Sequence, residues 1–283
     1  MRPSLALNGS IVVASQPGDG VRLFDLDGRR LGGGANAATF DAERPAGVAM
    51  DDDRRVWVCL PHEAAVVAYS AFGRAAARLV DPPDAAGRDA PGVLGRPYAV
   101  DALGDTDELR LVVASRGRRR HALQVFDEAG RCVRSLRPGG ASHGAFRALE
   151  GAAFDGRFVY AVEAGGRVSV YRDLDHHFGF VVSGPDADGP RLRAVAPAGG
   201  GRIAVLCERA GVLLFGPGGE LLGRRIPTGP HAGGASDLEA PVDLVVERGR
   251  DDARRRVVVM DREGARVQVF SLVGAPFGAF DTD

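Results

Sequence analysis

The hydrophobic and polar positions form a recurring pattern that is clearest between Val257 and Gly278, VVVMDREGARVQVFSLVGAPFG. Val257, Val258 and Val259 are β-branched, as a buried strand prefers. Asp261 to Ala265 is polar and holds a Gly, which predicts a turn. Val267, Val269 and Phe270 resume the apolar run around Gln268. Gly274 marks a second turn, and Phe277 to Phe280 predicts a short last strand. Short strands punctuated by Gly at regular spacing predict a sandwich, a barrel or a repeat array.

Copies of the pattern decide among these. The aromatic-ended segment recurs as VRLFDLDG at Val21, VVAYSAFG at Val66, LQVFDEAG at Leu123, VSVYRDLD at Val168, VLLFGPGG at Val212 and VQVFSLVG at Val267. Its anchor aromatics are Phe24, Tyr69, Phe126, Tyr171, Phe215 and Phe270, about 44–57 residues apart, close to the spacing of propeller repeats. A β-branched segment precedes each one, as IVVAS at Ile11 or LVVAS at Leu111, and a segment often led by Pro comes before that. Each copy therefore holds four strands. One such sheet cannot bury both faces, whereas six arranged radially can. The expected fold is all-β, a six-bladed β-propeller of four-stranded antiparallel blades. It forms a single domain with blades at about 2–33, 45–80, 96–137, 146–183, 191–227 and 240–281. Blade 1 supplies its own first strand and blade 6 its own fourth. The ring should then close without strand exchange, on side-chain packing alone.

The copies resemble the NHL repeat family, whose pattern runs Pro-x-Gly-Val-Ala, a strand ending in Asp, Arg-Val-x-Val-Phe and a Gly turn. Pro45-Ala46-Gly47-Val48-Ala49 matches its start, and Asp261 with Arg266-Val267-Gln268-Val269-Phe270 matches its end. Gly144-Ala145-Phe146 resembles the family's Gly-Gln-Phe lead-in. The Asp position is Ser15, Ser115, Glu163 and Cys207 in other blades. The resemblance implies the propeller fold but no single activity, because NHL propellers include enzymes and binding platforms. Asp261 to Arg266 also looks similar to a segment of the amidating lyases. The positions matching those enzymes' metal-binding Pro-His strands are Ala46, Tyr98, Glu150 and Val242 here.

Composition narrows the picture. The 283 residues carry a formal net charge of -1, which argues against a surface built for nucleic acid or anionic membrane. All basic residues are Arg, a choice that fits a base-composition bias. Three cysteines without CxxC spacing read as reduced thiols, with Cys59 and Cys207 in apolar strands. The N-terminus makes a poor signal peptide, and no apolar run approaches the roughly 20 residues of a membrane helix. A cytoplasmic location with no membrane span is the expectation.

Up-and-down connectivity sorts candidate residues by face. Loops between second and third strands share a face with the inter-blade connections. His62, Arg116 and the Arg118, Arg119, Arg120, His121 run belong to that face, as do His143 and His231. His176, His177 and the RGRDDARRR segment at Arg248 to Arg256 belong to the other. The four histidines of the first face come from separate loops without ligand spacing, so neither a metal nor a cofactor is expected. The first strands line the channel and carry Glu150, Arg193 and Asp243, a set suited to acid–base chemistry or to mutual neutralisation. No nucleophile elbow, P-loop or HExxH appears.

The reading that follows is a non-catalytic scaffold or subunit of a larger assembly, binding a protein partner through the rim that bears His62, Arg118, His143 and His231. The alternative is a hydrolase or lyase, metal-dependent or not, built at the channel mouth from Glu150, Asp243 and Arg193. The central channel also has room for a small-molecule ligand. Nucleic-acid binding through the Arg loop ranks third, since the chain lacks the overall basic footprint.

Overall fold

The structure is a computed structural model. It describes residues 3–282 apart from 10, 17–19, 32–39, 41, 72, 81–89, 106, 117–120, 137–148, 164, 184–189, 229–237, 250, 252–253 and 262–264, and apart from the side chains of 16, 121 and 224. The described residues form strands and turns, and no helix among them is long and apolar enough to cross a membrane.

Six four-stranded antiparallel sheets follow one another along the chain. Blade 1 holds β1 (Ser4–Asn8), β2 (Ile11–Gln16), β3 (Gly20–Asp25) and β4 (Arg30–Leu31). Blade 2 holds β5 (Val48–Met50), β6 (Val56–Leu60), β7 (Ala65–Tyr69) and β8 (Ala75–Val80). Blade 3 holds β9 (Arg96–Leu103), β10 (Arg110–Arg116), β11 (His121–Phe126) and β12 (Cys132–Leu136). Blade 4 holds β13 (Leu149–Phe154), β14 (Phe158–Glu163), β15 (Arg167–Arg172) and β16 (Asp175–Val181). Blade 5 holds β17 (Leu192–Gly199), β18 (Arg202–Cys207), β19 (Gly211–Phe215) and β20 (Leu221–Ile226). Blade 6 holds β21 (Asp243–Val246), β22 (Arg256–Asp261), β23 (Arg266–Ser271) and β24 (Pro276–Asp281). The first strands touch in sequence from β1 to β21, and β21 meets β1 again. The molecule is a six-bladed β-propeller.

Side chains alternate across a strand, so each blade offers one set of apolar residues to the blade before it and another to the blade after. In blade 6, Val257, Val259 and Phe270 join Leu206, Val212 and Leu214 of blade 5. Val258, Met260, Val267 and Val269 instead join Leu5, Val12 and Phe24 of blade 1. The other four interfaces are built in the same way. Both faces are buried, which explains why second strands such as VVVM read as unbroken apolar runs rather than alternating ones.

The ring closes by more than packing, contrary to the sequence expectation. No strand is exchanged, since β1–β4 and β21–β24 form separate sheets. The Leu5 N–H, however, donates to Asp243 Oδ2 at 2.7 Å. Arg256 donates to the Gly9 carbonyl at 3.0 Å and Arg22 to the Thr282 carbonyl at 2.5 Å. The Phe24 and Phe280 rings also meet, with centroids 5.3 Å apart.

Turns between third and fourth strands rest on the neighbouring blade. Gly274 has φ 93°, and a Cβ there would lie 2.1 Å from the Arg225 carbonyl of blade 5. Only Gly meets both conditions. Blade 4 lacks this Gly: Asp173 and Leu174 take φ values of 52° and 61°, and Leu174 buries its side chain toward blade 3. A side chain at the start of the turn often holds it. Asp127 Oδ1 accepts the Ala129 and Arg131 N–H groups, and Oδ2 accepts Arg131 Nε at 2.9 Å. Burial opposes ionisation of Asp127, but the backbone N–H and guanidinium of Arg131 outweigh it and hold the carboxyl below its usual pKa. In blade 5 that position is Gly216, and the Glu220 carboxylate reaches back to the Gly218 N–H at 3.0 Å instead.

Two outcomes are expected from this packing. A Cβ on Gly47 would sit 2.7 Å from the Tyr98 carbonyl of blade 3, whereas one on Gly278 would meet nothing within 4 Å. Gly47→Ala should therefore cost about 1–3 kcal/mol in urea unfolding and Gly278→Ala almost nothing. Equal effects would show that blades 2 and 3 can separate freely. The Asp127 contribution should be complete above the unfolded carboxylate pKa of about 3.9 and vanish as pH falls through the lower folded value. Asp127→Asn should thus lower stability at neutral pH and flatten its fall on acidification.

Candidate functional site

The first strands enclose an axial cavity of about 520 Å³. The six run parallel, so matching positions form levels across the channel. The upper level, at the face of the inter-blade connections, includes Ala46, Tyr98, Glu150, Arg193 and Val242, all of which line the cavity. Arg96 and Arg116 stand at the same mouth. Val48, Val100, Val195 and Leu244 form an apolar wall below them.

The three channel candidates do not converge on one acid–base set. Both oxygens of Asp243 accept backbone N–H groups, Oδ2 from Leu5 at 2.7 Å and Oδ1 from Leu244 at 2.9 Å, so this carboxylate ties blade 6 to blade 1. Arg193 forms an ion pair with Glu208, while its Nε is buried without a hydrogen-bond partner. Glu150 is half-buried at the upper mouth.

The rim residues are only partly brought into view. His62 is exposed in the turn after β6, next to Pro61 on the cavity wall. Arg116 ends β10 and is exposed. His121 opens β11, with its backbone opposite Arg116. Arg118, Arg119, Arg120, His143 and His231 lie outside the described residues. Among the described residues, no group of three or more His, Cys, Asp and Glu side chains is placed to hold a metal. Cys59 and Cys207 are buried and unbridged, and burial pushes the Cys59 thiol far up, so it stays protonated.

The sequence reading missed the lower mouth. Arg248, in the loop between β21 and β22, reaches from blade 6 to the opposite side of the ring. Its Nη2 donates to both oxygens of Asp101, at 3.0 and 2.9 Å, and to the Phe154 carbonyl at 3.0 Å. Its Nη1 donates to the Ala102 carbonyl at 2.6 Å. Asp101 also accepts the Phe154 N–H at 2.7 Å and the Ala102 N–H at 2.9 Å. One guanidinium thus joins blade 6 to blades 3 and 4 across the axis and bars the lower end. The signal was an Asp inside the apolar first strand PYAVDAL, but its partner is 147 residues away. Arg256, in the same Arg-rich segment, pairs with Glu247 just before it.

No family model and no curated protein matches the chain. Solved structures do. The WD40 β-propeller domain of Doa1 superposes with a TM-score of 0.62 at 13% identity, covering 99% of this chain and 82% of that one. BBS1N, in its complex with ARL6DN, superposes with a TM-score of 0.59 at 11% identity, covering 96% and 75%. At such identities the likeness shows the propeller fold alone.

Removing the cross-channel guanidinium should be felt throughout the ring. Arg248→Ala is expected to cost about 2 kcal/mol, as for hydrogen bonds to a charged group, and Arg248→Lys should recover only part of it. Urea unfolding at neutral pH measures both. An unchanged midpoint in Arg248→Ala would mean that the bridge carries no stability.

Proposed function

We propose that this propeller is a non-catalytic platform of the NHL type that binds a protein partner, alone or as a subunit of a larger assembly. The observation that carries this reading is the apolar outer edge of blades 5 and 6. Leu221 is 60% exposed, Val273 64% and Phe277 60%. The outer strands of the two blades adjoin, because the blade 6 turn that follows Val273 lies against β20 at Arg225. The whole of β24 faces solvent or is only half-buried, with a single charge in PFGAFD. Exposed apolar side chains beside an open strand edge suit a partner that adds a strand or packs on the sheet margin. The commitment of Asp243 to the blade 6–blade 1 junction and of Arg193 to Glu208 removes support from a channel-mouth hydrolase. The solved neighbour BBS1N in complex with ARL6DN is compatible with a propeller used for binding. Buried, unbridged Cys59 and Cys207 fit a reducing, cytoplasmic setting.

The test is native isolation with Phe277→Glu and Leu221→Glu, single and combined. Exposed substitutions of this kind should shift stability by no more than about 0.5 kcal/mol. The wild type is expected to bring down one protein at fixed stoichiometry, and the double variant to lose it while melting normally. A companion retained by the double variant, or a wild type that stays alone at its native concentration, would refute the outer-edge platform.

A further inference from the structure

We infer that the axial cavity binds a small amphipathic anion, an apolar body capped by one carboxylate or phosphate, with the head group held at the upper mouth by Arg96, Arg116 and Arg193. This site is separate from the outer edge of blades 5 and 6.

Three observations converge on that chemistry. The first is a pair of like charges with no local reason to be together. Arg96 and Arg116 face each other directly across the β9–β10 ladder, so their side chains leave the sheet on one side. Like charges so opposed destabilise a sheet. Neither side chain forms a hydrogen bond or ion pair with a described residue, yet both line the cavity. An anion lying between the two guanidinium groups would turn their repulsion into shared attraction, in the fork geometry that suits carboxylate and phosphate.

The second is an unmet donor. Glu208 holds one end of the Arg193 guanidinium, but the buried Nε has no partner. A buried donor left unsatisfied is rare and calls for an acceptor. Arg193 lies on the cavity wall, at the level of Glu150. Among the described residues lining this mouth, Arg193 is balanced by Glu208, and the two cations Arg96 and Arg116 outnumber the carboxylate of Glu150.

The third is the shape of the cavity below. Ala6, Val48, Val100, Ala152, Val195 and Leu244 supply one small or branched apolar residue from each blade. Arg248 bars the far end, already committed to Asp101 and two carbonyls. The cavity is thus a cup with a cationic lip, an apolar band beneath it and the Arg248–Asp101 bridge across its floor. Its volume of about 520 Å³ lies within the range of small-molecule sites. A free inorganic ion would leave the cup unfilled, and a neutral apolar molecule would leave the lip uncompensated.

The full chain should be titrated calorimetrically with octanoate, octyl phosphate and 1-octanol. One equivalent of either anion is expected to bind, with 1-octanol at least about tenfold weaker and added salt reducing the difference. The double variant Arg96→Ser/Arg116→Ser should weaken octanoate by about tenfold or more while leaving 1-octanol unchanged. Both positions are exposed, so the variant should fold, and its unliganded melting curve checks this. Phe277→Glu serves as a control and should bind octanoate like the wild type, so that failure here and failure of the outer-edge platform can be told apart. Equal binding of 1-octanol and octanoate, full retention by the double variant, or no binding of either anion would each overturn the site. So would displacement of octanoate by a short acidic peptide at lower concentration, which would assign the lip to a protein ligand.

Discussion

The aromatic side chain near the end of each third strand is the contact on which the ring depends. Phe24, Tyr69, Phe126, Tyr171, Phe215 and Phe270 are all buried, and each lies in the cluster shared with the preceding blade. Within blade 6, Val269 just before Phe270 faces the opposite way, toward blade 1. A blade is therefore a two-faced wedge with its largest side chain always on the same side. Stacking such wedges has one direction, and after six the first meets the last. Full burial of a side chain of this size contributes about 1.5–3 kcal/mol, so six of them form a large share of what keeps the blades together.

This explains why the fold was legible in the sequence. Every blade solves the same packing problem, so the solution recurs as a period, and Phe or Tyr recurs where the wedge is thickest. The Gly signals have an equally local cause. Gly274 leaves room for a neighbouring carbonyl, and Gly47 leaves room for the next first strand. Where a blade departs from the pattern, a substitute close in sequence compensates. Leu174 fills space against blade 3, and the Glu220 carboxylate does the work of the side chain that Gly216 lacks.

The channel was much less legible, for a reason that follows from the ring itself. Closure sets beside one another residues whose separation in the chain has no period. Asp243 meets Leu5 across 238 positions, and Arg248 meets Asp101 across 147. In the sequence Asp243 is a carboxylate in a channel strand, which looks like chemistry. In the fold its oxygens hold the N–H groups of Leu5 and Leu244, which is joinery. In the sequence Arg248 is one of several Arg in a short segment, yet Arg256 pairs with the adjacent Glu247 while Arg248 crosses the axis. Residue type showed that polar groups occur in the channel. Only geometry separates those needed to close the ring from those that are not.

That separation orders the channel from bottom to top. At the lower mouth, Arg248 and Asp101 have donors and acceptors matched to one another and to backbone carbonyls and N–H groups. Near mid-channel, Asp243 is matched to two N–H groups. Among the described residues of the upper mouth the matching stops: Arg96 and Arg116 oppose each other, and Arg193 keeps a buried Nε without an acceptor. A rigid ring cannot relax to cure such a mismatch, because the aromatic interfaces fix each first strand relative to the next. The imbalance at one end of an otherwise satisfied channel is thus maintained by the same packing that makes the fold, and a ligand can relieve it where the protein cannot.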